Sequence, residues 1–61
     1  MKIVFWDKMR ETYKTIENVD QLEKNQTKCN GRLANFYFIH TSDGALISFK
    51  CKDYEIERIE A

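Results

Sequence analysis

The dipeptide Asp43-Gly44 restricts the fold of this chain more than any other feature, because it separates two runs of aromatic and β-branched residues. The first run covers residues 32–41 and the second covers residues 45–52. Asp-Gly between such runs predicts a β-hairpin, since glycine adopts positive φ without steric cost and aspartate tolerates it. After a turn at residues 53–54, residues 55–60 form a last β-prone run. The second half of the chain is therefore predicted to be a hairpin followed by a short strand.

The first half is also β-prone. Residues 2–6 and 11–16 are predicted to form two strands joined by a turn at residues 7–10. The polar stretch 25–31 predicts a loop that ends at Asn30-Gly31, where positive φ is readily adopted.

Residues 18–25 are ambiguous. Asn18 and Gln21 resemble a helix capping box, and Ile16, Val19 and Leu22 follow helical spacing. A helix of this length has little stability of its own, so a third strand that continues the sheet through a bulge is the favoured interpretation.

Two segments are apolar on both sides of the predicted strand, residues 3–6 and residues 36–39. Such strands require cover on both faces. We therefore expect an all-β protein, in which a five-stranded antiparallel meander closes into a small SH3-like or Sm-like barrel. Ile59 breaks the alternation of the last strand, which predicts either a β-bulge near the chain end or a strand that changes layer.

A chain of 61 residues makes one domain. At this size folding buries only about 60% of the surface of the unfolded chain. Most of the six residues Trp6, Tyr13, Phe36, Tyr37, Phe38 and Tyr54 are expected in the core, and the surplus is expected to serve a homodimer interface.

Ten basic residues balance ten acidic ones, which argues against nucleic-acid binding because such proteins usually carry a basic excess. Lys24, Lys28 and Arg32 lie in an acid-free stretch, whereas the chain end is acidic. We interpret these as solvated faces, with contact to a second copy or to charged partners as the alternative.

Neither a signal-peptide pattern nor an apolar run of about 20 residues is present, so we expect a cytoplasmic protein without a membrane span. Cys29 and Cys51 form no metal-binding motif, and we expect both to be reduced thiols, although one bridge could join them.

No catalytic constellation is evident. His40 is the only histidine, no glycine-rich phosphate loop exists, and we expect neither enzymatic activity nor a metal or cofactor. The residues proposed as binding contacts are Trp6, Tyr13, Arg32, Tyr37 and His40. A nucleic-acid stacking platform would require Trp6 and Tyr37 to be surrounded by cations, for which the candidates are Lys2, Lys14, Arg32 and Lys50.

An immediate β start at residues 2–7, the compact Asp43-Gly44 hairpin, a closing segment at residues 54–60 and the absence of proline together resemble small accessory proteins of phages and mobile elements of Gram-positive bacteria. That resemblance implies binding and disabling of a host protein. From the residues, three functions remain open: a protein-binding module that acts as inhibitor or adaptor, a nucleic-acid-binding small β-barrel, and a small-ligand-binding dimer.

Overall fold

The computed structural model describes all 61 residues. The predicted all-β class is confirmed, but the predicted count of five strands is wrong because the chain forms six. They are β1 (Lys2–Asp7), β2 (Thr12–Ile16), β3 (Val19–Cys29), β4 (Arg32–Thr41), β5 (Leu46–Lys50) and β6 (Tyr54–Glu60). No helix long and apolar enough to cross a membrane is present.

The strands form two antiparallel sheets of three strands each. The first sheet has the order β2-β1-β6 and the second has the order β3-β4-β5. The sheets pack face to face, because the buried cluster takes Ile3 and Phe5 from the first and Val19 and Ile39 from the second. The Val19 amide donates to the carbonyl oxygen of Met1 at 2.8 Å and links the sheets at one corner. Strand pairing otherwise stops between them, so the sheets are not closed into a barrel.

The strand favoured for residues 18–25 is confirmed from Val19 onward, with a register irregularity between Val19 and Gln21. The expectation that it continues the sheet of the first two strands is wrong, because β3 belongs to the second sheet. The predicted polar loop at 25–31 is wrong, because β3 continues to Cys29. Asn30 (φ 53°) and Gly31 (φ 78°) both adopt positive φ, the pattern of a type I′ hairpin turn. β5 pairs only with residues 36–40 of β4. Residues 26–35 therefore extend beyond it as a two-stranded hairpin, which we call the arm.

The core is small. Only six of the 61 residues are fully buried, and five of these are apolar. Of the two alternatives for the end of β6, the bulge is the one observed. The pairing of β1 with β6 shifts register between Val4 and Phe5, which leaves Glu57 without a partner, whereas Ile59 pairs with Ile3. Ile59 itself is 52% exposed, so the end of β6 adds little to the core.

Alternation along the strands separates an inner face from an outer face on each sheet. Tyr37 and Tyr54 pack against the buried cluster. The expectation that most of the six aromatic residues are core is wrong, because the other four lie on the outer faces: Trp6 and Tyr13 on the first sheet, Phe36 and Phe38 on the second. Both outer faces therefore carry aromatic rings that the chain covers only in part.

Candidate binding surfaces

The first sheet presents an aromatic pair on its outer face. Trp6 and Tyr13 are direct cross-strand partners, and their ring centroids lie 4.8 Å apart at an interplanar angle of 60°. Tyr13 is 59% exposed, whereas the neighbouring Val4 is buried. Opposite Val4 on β6 lies Arg58. We call these four residues the Trp6 patch.

Two cations that share one carboxylate border the Trp6 patch. The Nε atom of Arg58 donates to Glu60 at 2.7 Å, and Lys2 Nζ lies 3.7 Å from the same carboxylate. These two cations, with Arg58 the stronger contributor, lower the pKa of Glu60 below its ordinary value. The border is therefore charged but locally balanced.

The second sheet presents an apolar stripe on its outer face. Phe36 and Phe38 stack along β4 with centroids 5.9 Å apart and an interplanar angle of 30°. Ala34 precedes them on the same face, and Leu46 of β5 is 59% exposed beside the stripe. We call Ala34, Phe36, Phe38 and Leu46 the Phe36 stripe. No element of the chain packs over it.

His40 lies at one end of the Phe36 stripe. Its Nε2 atom lies 3.0 Å from Glu23 Oε2, and the Gln21 amide donates to the other oxygen of Glu23 at 3.2 Å. This short network spans β3 and β4 and contains no nucleophile. It orients His40 but gives the ring no catalytic partner.

An open groove of about 610 Å³ lies at the other end of the stripe, where β5 stops and the arm continues. Arg32, Lys50 and Lys52 line it, and none of its nine lining residues is acidic. Lys50 pairs directly with Phe36. The groove and the Phe36 stripe therefore form one continuous surface, cationic at one end and aromatic in the middle.

Tyr37 lies inside, away from the other proposed contacts. Its ring centroid is 5.7 Å from that of Phe5. Burial, with the Cys51 thiol close by, raises the pKa of the Tyr37 phenol. Lys14 also lies over the core edge, with Nζ 5.6 Å from the Phe49 centroid. A stacking platform that combines Trp6 and Tyr37, the alternative to a core role for these rings, is therefore not formed, because the two rings belong to different faces of different sheets.

The two cysteines are free thiols. Cys29 lies on β3, along one edge of β4, where it pairs with Arg32. Cys51 lies along the opposite edge of β4, where its backbone amide donates to the carbonyl oxygen of Asn35. Two inter-strand spacings of about 4.8 Å separate them, whereas a disulfide requires Cα atoms within about 7 Å. A bridge within one chain would need the sheet to rearrange.

The five predicted contacts therefore divide among three places. Trp6 and Tyr13 meet in the Trp6 patch, Arg32 and His40 lie at the two ends of the β4 outer face, and Tyr37 is in the interior. Sequence reasoning missed Phe36, Phe38 and Lys52. The alternation of β4 puts the two phenylalanines on one face and Tyr37 and Ile39 on the other, but only the packing of the sheets shows that Tyr37 and Ile39 face the core.

No group of three or more His, Cys, Asp or Glu side chains is arranged to hold a metal ion. No protein-family model, curated protein or solved structure shows significant similarity to the chain.

Proposed function

We propose that this protein is a non-catalytic binding module that docks a protein partner on the Trp6 patch. The single observation that carries the proposal is the Trp6–Tyr13 pair on the outer face, in which Trp6 is half-buried and Tyr13 is 59% exposed, beside a core of only five buried apolar residues. The phage or mobile-element resemblance supports a host protein as the partner, inhibited or adapted by this module.

The composition of the Trp6 patch favours a protein over a polyanion. Tryptophan, tyrosine and arginine are the residue types most enriched among interface hot spots, and Trp6, Tyr13 and Arg58 bring one of each to the same face. The border of the patch contains cations and a carboxylate that neutralise one another. A protein surface with charges of both signs can complement such a border, whereas phosphate gains no net attraction from it.

Three further features belong to the proposal. We place the module in the cytoplasm, in keeping with its two free thiols. Short antiparallel strands in two layers around one core support a place among SH3-like or Sm-like small β modules. A homodimer is supported by the amount of apolar surface that one copy leaves exposed.

Affinity capture from lysates of Gram-positive bacteria tests the protein-binding function. The bait is compared with the Trp6→Ala/Tyr13→Ala double variant and with Met9→Ala, an exposed loop variant outside the patch. We expect a protein in stoichiometric amount with the unmodified bait and with Met9→Ala, and at least a tenfold loss with the double variant, since two hot-spot truncations each cost about 2 kcal/mol or more. Equal recovery with all three baits contradicts the proposal, as does recovery of no partner.

A further inference from the structure

We infer that the Phe36 stripe and the adjoining cationic groove form a binding site for single-stranded nucleic acid. This surface lies on the second sheet, opposite the face used by the proposed function, and the inference does not depend on that function. A chain with both surfaces would bridge a protein to a nucleic-acid strand.

The aromatic part of the site can hold bases. Proteins that bind single strands stack successive bases on aromatic side chains of a sheet face, and the contact is tolerant of sequence because every base has a π-face. Phe36 and Phe38 are alternate residues of one strand, partly exposed, on the uncovered outer face of β4. Polar Asn25 and Ser48 lie beside them on the neighbouring strands.

The groove can hold the phosphates. Arg32 and Lys50 share the outer face with the two phenylalanines, and Lys52 follows at the end of β5. The structure gives none of the three a carboxylate partner, whereas four of the five cations of the first sheet and its loops are paired: Lys2, Lys8, Arg10 and Arg58. The fifth, Lys14, lies over the Phe49 ring instead. Unpaired cations beside exposed rings are the combination that single-strand binding requires.

The net charge of the chain is zero, but the two layers differ in net charge. Residues 19–52, which build the second sheet and the groove, carry five Lys and Arg against three Asp and Glu. The remaining residues carry five against seven. The basic excess typical of nucleic-acid binders is therefore present on the layer that carries the Phe36 stripe.

Glu23 marks the end of the proposed binding site that lies away from the groove. Its carboxylate lies beside Phe38 and contacts His40 at 3.0 Å, so it repels phosphate at that end. A bound strand therefore runs from the groove toward Phe38. A protein partner would have to supply an acidic segment to the same groove, and we favour nucleic acid because it satisfies the rings and the cations together.

Fluorescence anisotropy with a labelled oligothymidylate of about 12 nucleotides tests the inference. We expect binding at about 50 mM salt that weakens with a slope near −2 in log K against log [salt], since three neutralised phosphates contribute about −0.7 each. Lys50→Glu is expected to weaken binding at least tenfold. The Phe36→Leu/Phe38→Leu double variant keeps the apolar volume but removes both rings, and the same loss is expected. Glu23→Gln is expected to strengthen binding.

Matched controls lie on the other layer. Lys8→Glu changes the net charge as much as Lys50→Glu does, and Tyr13→Ala removes a ring from the Trp6 patch; both are expected to bind like the unmodified protein. Circular dichroism and thermal melting confirm that each variant is folded. Absence of binding at about 50 mM salt overturns the inference, and so does an equal loss with Lys8→Glu. Tighter binding of a glutamate-rich peptide than of the oligonucleotide also overturns it and assigns the groove to an acidic protein segment.

Discussion

Asp7 is a charged residue in a core of six buried side chains, and it is only 1% exposed. It is tolerated because three donors satisfy its carboxylate: the amides of Met9 and Arg10 at 3.0 and 3.1 Å and the Arg10 guanidinium at 3.2 Å. The amide of Arg10 is the largest cause of a lowered pKa at Asp7. Asp7 thus closes the β1–β2 turn, in which Glu11 adopts positive φ.

The lowered pKa of Asp7 predicts loss of stability in acid. A carboxyl whose pKa is lower in the folded than in the unfolded state stabilises the fold above its unfolded pKa, about 3.9. That contribution disappears as the pH falls through the folded pKa. We expect the melting temperature of the unmodified protein to fall between about pH 5 and pH 2, and Asp7→Asn to melt lower at neutral pH with a smaller acid-induced decrease.

Glu57→Gln is the control for this measurement, since Glu57 is exposed and has no ion pair or side-chain hydrogen bond. Its acid-induced decrease should match that of the unmodified protein. An Asp7→Asn variant with an unchanged pH dependence would show that other carboxylates, such as Asp43 with its Thr41 and Ala45 donors, dominate the acid response.

The arm is the element whose formation depends most on a single turn. Gly31 has φ 78°, and a Cβ placed there would meet no atom within 4 Å. Gly31→Ala therefore causes backbone strain without a clash, and we expect it to lower the free energy of unfolding by about 1 kcal/mol in chemical denaturation. Asn30→Gly, at φ 53°, should cost no more than a few tenths of a kcal/mol. Equal effects would mean that the turn is not formed in solution.

The arm also shows what the sequence could and could not predict among the elements. The Arg32–Thr41 strand was predicted to its bounds, because a long apolar run between turn residues has one natural interpretation. β3 was predicted too short, because its polar residues after Asn25 lack the alternation that marks a half-buried strand. They pair with β4 but cover no core, so Asn30-Gly31 was their only β signal. It was interpreted as the end of a loop, although the same dipeptide forms two-residue hairpin turns.

The candidate sites were predicted less well than the strands, for a related reason. Alternation assigns residues to two faces of a strand but does not say which face meets the core when both are apolar. On β4 the core takes Tyr37 and Ile39, and Phe36 and Phe38 remain outside. Only the packing of the second sheet on Phe5 settles that choice, and packing between layers is not encoded in any local pattern. Trp6 and Tyr13 were proposed as contacts because they are large side chains on predicted strands, and the structure places them side by side on one hairpin.

At the scale of the whole molecule, two thin layers share a core of five buried apolar residues, and each layer leaves its outer rings uncovered. Small domains compensate for such a core with disulfides, metals or partner subunits. The thiols are free and no metal cluster is present. The partner contacts proposed for the outer aromatic residues would supply the third kind of compensation.

Sedimentation velocity tests whether a second copy supplies part of that surface. We expect a species of about twice the 7.3 kDa chain mass at micromolar concentration, because apolar area left exposed on each copy is removed from water on association. The melting temperature should then rise with protein concentration, since association stabilises only the folded chain. Comparison of Tyr13→Ala with Phe38→Leu identifies the shared face, because only the variant on that face should shift the population toward monomer. A single 7.3 kDa species with a concentration-independent melting temperature would exclude the dimer and leave both outer faces to other partners.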